Sequence, residues 1–236
     1  MTSYNTMLAG LQDLVDNPTP RVPVILCLDV SGSMSGAPIR ELNTGANQFL
    51  REMEEDELTR YSAEIAVVTF ADRAQCVTDF DTADRLDQVS MTADGCTDLG
   101  GGLTMALDLL ERRKNQYKAT GVEYYQPILV VMSDGAPNGD RRVQDAAVRR
   151  LRELAEARKL TVIPVGIGPQ ADLDMLACLA PKGAPLRMDG LRFREFFAWL
   201  SQSVAGVSAS APGCEPELDL DALRELESEP WPEESL

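Results

Sequence analysis

A chain of 236 residues with 44% hydrophobic and 25% charged residues has globular composition, and it is long enough for one well-buried α/β domain with short extensions. Its formal net charge of -16 leaves no basic stripe to neutralise phosphates, so nucleic acid and anionic membranes are excluded as expected partners. Histidine is absent, which removes His-based acid/base catalysis, a Ser-His-Asp or Cys-His nucleophile and His-ligated zinc.

Residues 1–21 read as an extension. Met7, Leu8, Leu11, Leu14 and Val15 recur at helical spacing, predicting a short amphipathic helix that either packs on the domain or docks on a partner, before Asn17-Pro18-Thr19-Pro20 breaks it. Asp13 and Asp16 interrupt the apolar part and no basic region precedes it, so it does not read as a secretory signal. No run of 18 apolar residues is present, and the five cysteines lack Cys-x-x-Cys spacing, so a reduced, cytoplasmic protein is expected.

The domain is expected over residues 22–209. Val22 to Leu28 is an apolar run suited to a strand buried on both faces, and it turns polar at Asp29, Ser31 and Ser33. If the backbone stays extended, those alternating residues share a side, and one carboxylate with two hydroxyls suits a small hard cation. Gly32 would let the chain turn tightly there. Such an ion keeps much of its charge and lacks ligands, so water or an acidic side chain of another molecule would complete it. The competing reading is an ordinary strand-to-helix turn, in which Asp and Ser are common.

A helix follows, with Pro38 in its first turn and Leu42, Ala46, Phe49, Leu50 and Met53 on one face. Ser62 to Phe70 predicts a second strand, and Arg73 to Thr78 a partly polar edge strand forming a hairpin with it. A short helical turn is placed within Asp81 to Asp87. The glycine-dense stretch Asp94 to Gly102 enters a helix carrying Leu103, Ala106, Leu107 and Leu110; it lacks the Gly-Lys-Ser/Thr of a phosphate loop, and close approach of the chain to another group explains its glycines better. Pro127 to Met132 is a second fully apolar strand, followed at once by Ser133-Asp134-Gly135.

The remaining elements alternate: a helix with Val143, Ala147, Leu151 and Leu154, a strand Thr161 to Ile167, a helix around Leu173 to Leu179, a strand Leu186 to Met188 and a helix Phe193 to Val204. That order predicts a doubly wound, mostly parallel sheet with one antiparallel edge strand and helices on both faces. Residues 210–236 form an acidic tail with nine acids and one Arg, read either as a solvated segment or as a peptide that folds onto a partner or onto this domain.

In an open α/β sheet, ligands collect beyond the carboxyl ends of the strands where strand order reverses. Asp29, Ser31 and Ser33 follow one central strand, Asp134 follows its expected neighbour, and Thr97 lies in a loop between them. Together these residues resemble the metal-ion-dependent adhesion site of von Willebrand factor A domains, a resemblance covering about residues 22–207. Ser31-Gly32-Ser33-Met34, Pro38-Ile39 and the phrase Phe193 to Ser201 are further similar to the bacterial TerY-like group, associated with tellurite resistance and chemical stress.

The resemblance implies that Asp29, Ser31, Ser33, Thr97 and Asp134 hold a divalent cation, Mg²⁺ first and Mn²⁺ or Ca²⁺ otherwise, and that an acidic residue of a partner protein occupies the vacant position. It implies a non-catalytic interaction module in a bacterial stress or defence system. Asp98 after Thr97 and Cys96 before it depart from the family, the first adding a carboxylate near the ion, the second a thiol that is a partly buried bystander, since nothing basic nearby favours the thiolate, or else is open to oxidation or soft metals. The alternative is a metal-dependent phosphohydrolase with Asp29 as nucleophile, disfavoured because Ser31 stands where such enzymes place a second carboxylate. A third reading makes the acidic tail, and not the metal, the point of contact.

Overall fold

The computed structural model describes residues 13–180, 185–188 and 192–210. Its centre is β1, Val22–Asp29, buried along all eight residues. β1 pairs in parallel with β2 (Ala63–Phe70) on one side and with β4 (Ile128–Ser133) on the other. β3 (Ala74–Thr82) closes one edge antiparallel to β2, and β5 (Thr161–Ile167) and β6 (Leu186–Met188) extend the other in parallel. The sheet order is β3-β2-β1-β4-β5-β6, so the reversal falls between β1 and β4, as two fully apolar strands ending in acidic loops predict.

Pleating divides each central strand between two cores. Val22, Val24, Leu26 and Leu28 face α1 (Ala37–Glu55) and α6 (Phe193–Ser208), meeting Phe49, Phe193 and Phe197. Ile25 and Cys27 face the opposite layer, where α3 (Leu99–Thr120) supplies Leu103, Ala106 and Leu110, α4 (Arg141–Glu156) supplies Ala147 and Leu151, and α5 (Leu173–Ala177) supplies Leu176. Full burial of one such Leu, Ile or Phe contributes about 1.5–3 kcal/mol. Val143, predicted on the apolar face of α4, is 40% exposed.

The glycine-dense entrance to α3 answers to close packing. A Cβ on Gly100 would lie 2.7 Å from the Gln144 nitrogen of α4, and one on Gly102 2.8 Å from the Phe70 ring. A four-residue helix, α2 (Thr59–Ser62), takes in Ser62, which the sequence assigns to the second strand. The predicted turn is a 3₁₀ segment at Ala83–Arg85.

Residues 13–16 are helical, with Leu14 packed on Tyr117 and Val122; the rest of the predicted N-terminal helix and the tail from 211 lie outside the described residues. Below the sheet a buried charge cluster anchors this extension. Glu64 accepts from Arg21 Nε at 2.8 Å, Arg113 Nε at 2.6 Å and the Tyr117 hydroxyl, while Arg21 also donates to the carbonyls of Asn17, Thr19 and Tyr61. Burial pushes the Tyr117 hydroxyl well above its usual pKa, and the Glu64 charge adds to that. Among the described residues no helix is long and apolar enough to cross a membrane.

Candidate metal centre

β1 stops being a strand at Asp29, and its next residues do not stay extended throughout, as the alternation of Asp29, Ser31 and Ser33 suggests. Ser31 is extended (φ -65°, ψ 168°), but Gly32–Met34 is a 3₁₀ turn that carries Ser33. The turn brings the hydroxyls together all the same: Ser31 Oγ and Ser33 Oγ lie 3.1 Å apart, and Ser33 Oγ donates to Asp134 Oδ1 at 2.8 Å. Asp29 Oδ1 accepts from the Ser31 N–H at 2.9 Å and Oδ2 from the Ser133 hydroxyl at 2.6 Å. The Gly32 N–H donates to the Gly95 carbonyl at 2.9 Å, but a Cβ there would meet that carbonyl at an ordinary 3.4 Å, and the positive φ falls after the turn, on Gly36 (88°).

Thr97 is 6% exposed, and its backbone is bonded to Asn138. Its N–H donates to Asn138 Oδ1 at 2.8 Å, and its carbonyl accepts from the Asn138 N–H at 3.1 Å. Asp94 N–H donates to the Val30 carbonyl and Asp98 N–H to the Ala71 carbonyl, so the 94–98 loop is tied to the ends of β1 and β2 on one side and to the loop after β4 on the other. The structure thus joins Asp29, Ser31, Ser33 and Asp134 in one hydrogen-bonded set with Ser133. It lays Thr97 beside them, with its hydroxyl outside that set.

Two participants were missed in the sequence. Ser133 stands next to Asp134, and its value depends on β4 lying against β1. Asn138 sits in Gly135-Ala136-Pro137-Asn138-Gly139, which reads only as a turn.

Both departures from the family have structural occupations. The Asp98 carboxylate is the N-cap of α3, accepting from the Gly101 N–H at 3.0 Å. Cys96 is exposed, and its hydrogen bond to Asp72 together with that carboxylate's charge raises its pKa, so at neutral pH it is a thiol.

Asp29 is fully buried, and burial raises its pKa, with the charge of Asp134 adding to the rise; hydrogen bonds from Ser133 and Ser31 act against it. Among the described residues neither carboxylate has a Lys or Arg partner, and no three of His, Cys, Asp and Glu gather as a metal site. Two carboxylates and three hydroxyls with no basic group form an all-oxygen donor set short of positive charge. This donor set fits a hard divalent cation, which prefers oxygen ligands and offsets the cost of a buried carboxylate.

The family model for the von Willebrand factor type A domain matches residues 24–189. An uncharacterized protein of Synechocystis sp. is 26% identical over 187 residues, covering 76% of this chain and 40% of that protein. The proximal thread matrix protein 1 of the mussel byssus, solved with zinc occupying its MIDAS motif, is similar with TM-score 0.53 and 18% identity, over 79% of this chain and 48% of that one. The vWF domain of the type V pili tip protein Mfa5 from Porphyromonas gingivalis is similar with TM-score 0.61 and 13% identity, over 83% and 99%. The chain therefore spans about two fifths of the curated relative and about half of the mussel protein. None of these relatives supports the narrower TerY-like resemblance.

Proposed function

The chain belongs to the von Willebrand factor type A domain family, and from that premise we propose that Asp29, Ser31, Ser33, Thr97 and Asp134 hold a divalent cation, Mg²⁺ foremost, through which the protein grips an acidic residue of a protein partner. The observation that carries this reading is the linked set Asp134–Ser33–Ser31 and Ser133–Asp29, acidic at both ends and without a basic side chain among the described residues. An ion held there by neutral hydroxyls, with a carboxylate meeting it through water and not directly, stays electrophilic, and an external carboxylate is the ligand that best completes it. The zinc in the MIDAS motif of the mussel protein supports a divalent cation in this position and leaves the native metal open to Mn²⁺ or Ca²⁺.

The role is that of a binding module and not of an enzyme, with residues 22–209 as the working domain. Its acidic surface disfavours nucleic acid and anionic lipid as partners. The finer part of the proposal is a bacterial stress or defence system, resting on the phrases Ser31 to Met34, Pro38-Ile39 and Phe193 to Ser201 alone, and a cytoplasmic place, resting on the cysteine spacing and the lack of a long apolar run. The test is uptake of Mn²⁺ by the full chain, followed by electron paramagnetic resonance. Saturable binding lost in Asp29→Ala and weakened in Thr97→Ala supports the assignment, and uptake equal to wild type in both overturns it. Turnover of a generic phosphoester that vanishes in Asp29→Asn would replace the module with the enzyme.

A further inference from the structure

Lys114, Lys118 and Lys159 are three of the four lysines in a chain of net charge -16, and the fold collects them at one end. Lys114 and Lys118 stand four residues apart near the end of α3 and share a face of it. Lys159 precedes β5, whose Thr161 N–H donates to the Pro127 carbonyl just before β4. All three lie at the N-terminal rim of the parallel strands, opposite the candidate metal centre. The Lys114 ammonium sits half-buried, 5.9 Å from the centre of the Tyr124 ring. Burial first, then the charges of Lys118 and Lys159, hold its pKa below the ordinary lysine value. Glu111, the acid that opposes this, is already bonded to Arg150 at 2.6 Å. None of the three lysines makes an ion pair among the described residues. A cation in the last turn of a helix meets the dipole favourably, which accounts for Lys118. It accounts neither for Lys159, outside the helix, nor for a half-buried Lys114 facing two like charges.

The acidic segment leaves the domain beside this cluster. The Ser210 carbonyl accepts from the Tyr125 hydroxyl at 2.6 Å, and Tyr125 adjoins the Tyr124 that Lys114 covers. Traced through those two side chains, the Ser210 carbonyl lies within about 23 Å of the Lys114 ammonium. An extended chain gains at most about 3.6 Å per residue, which lets Glu217 reach about 25 Å from Ser210 and Asp221 about 40 Å. In an extended run Glu217, Asp219 and Asp221 share one face, with Leu218 and Leu220 on the other. Alternate side chains then repeat at roughly 6.6 Å, close to the roughly 5–6 Å between residues four apart on a helix.

We propose that residues 217–221 dock on the lysine cluster of their own chain, Glu217, Asp219 and Asp221 pairing with Lys114, Lys118 and Lys159. The contact does not depend on the ion. It keeps these carboxylates at the rim opposite the metal centre, where they do not compete with a partner's acid.

Carbodiimide coupling, which joins a lysine amine to a carboxylate in contact with it, tests this on an equal mixture of light and heavy-nitrogen full chains. Peptide mass spectrometry reads the links. Links from the cluster to residues 217–221 should join peptides of one isotope, exceed those from Lys182 to the same acids, and fall about tenfold in about 1 M NaCl, where screening acts within about 3 Å. In the surface variant Lys118→Gln, Lys159→Gln, the Lys114 links should fall as well, since the cluster's attraction is gone. Links shared evenly with Lys182, links from Lys114 unchanged by salt or in that variant, or no links at all would overturn the site. Links of mixed isotope would place the segment on a second copy and overturn the contact within one chain.

Discussion

Asp29→Asn separates the two things that the buried carboxylate is proposed to do. The amide preserves shape: its oxygen can still accept from the Ser31 N–H, and its NH₂ can donate to the Ser133 hydroxyl, which also accepts. What is lost is a negative charge. In the metal-free protein that charge is a burden, since burial first and Asp134 second raise the Asp29 pKa. A raised carboxylate pKa means that the folded state holds its proton more tightly than the unfolded chain, so stability falls as pH rises from the ordinary carboxylate value through the raised one. Each unit of that rise corresponds to about 1.4 kcal/mol at pH above both values. Without metal at pH 7, Asp29→Asn should therefore unfold at the same temperature as wild type or higher, and should lack that pH dependence. With Mg²⁺ at a hundred times its dissociation constant, wild type gains about 2.7 kcal/mol. For a domain of this size that is roughly 5–11 °C in melting temperature, at about 2–4 °C per kcal/mol. The variant should gain almost none of it. Thermal melts by circular dichroism with and without Mg²⁺ decide the matter; an Asp29→Asn protein that shows the full Mg²⁺ shift would refute the reasoning.

Glu64→Gln leaves two buried guanidiniums against a neutral amide and should cost about 3–5 kcal/mol, read from urea unfolding, with Mn²⁺ uptake retained under folding conditions. Asn138→Ala removes the acceptor for the Thr97 N–H, and the loosened loop should lower Mn²⁺ affinity by about 10-fold or more, measured by equilibrium dialysis, with a melting temperature near that of wild type. Asp98→Ala removes the α3 cap and should cost about 1 kcal/mol in urea unfolding. If Asp98 were instead an ion ligand, the same variant would lose Mn²⁺ affinity with little change in stability.

What the sequence made legible follows from how local each signal is. β1 and β4 are read directly, because strands covered on both faces must be apolar throughout, and β3 is read as an edge because half of it faces water. The placement of Asp29 and Asp134 at one rim follows from those two readings. The route to Ser33 was not legible: alternation of polar residues is the same pattern whether the chain continues as a strand or folds into a 3₁₀ turn, and only the bonds from the Met34 N–H to the Ser31 carbonyl and from the Ser35 N–H to the Gly32 carbonyl distinguish them. Asp98 was open to two readings for a similar reason, since a carboxylate before a helix is a cap or a ligand according to which donor faces it. The Glu64 cluster was out of reach, as its partners stand 43, 49 and 53 residues away and meet only once β2, α3 and the N-terminal extension have packed.

The two buried carboxylates of the sheet make the strongest case for reading one end as structural and the other as a binding site. Glu64 near the start of β2 and Asp29 at the end of β1 are both fully buried, so each carries a desolvation cost. Around Glu64 the chain supplies two guanidiniums and a phenol, and it reaches back to residues 13–21 to do so. Around Asp29 it supplies the Ser133 hydroxyl and the Ser31 N–H, donors that orient the group without neutralising it, and among the described residues the nearest charge is a second carboxylate, Asp134. A chain of 22 Lys and Arg had the means to place one there. Leaving that rim anionic while spending two arginines at the opposite end is intelligible if the missing charge comes from outside the polypeptide, and a divalent ion is the smallest source that the oxygen donors can hold.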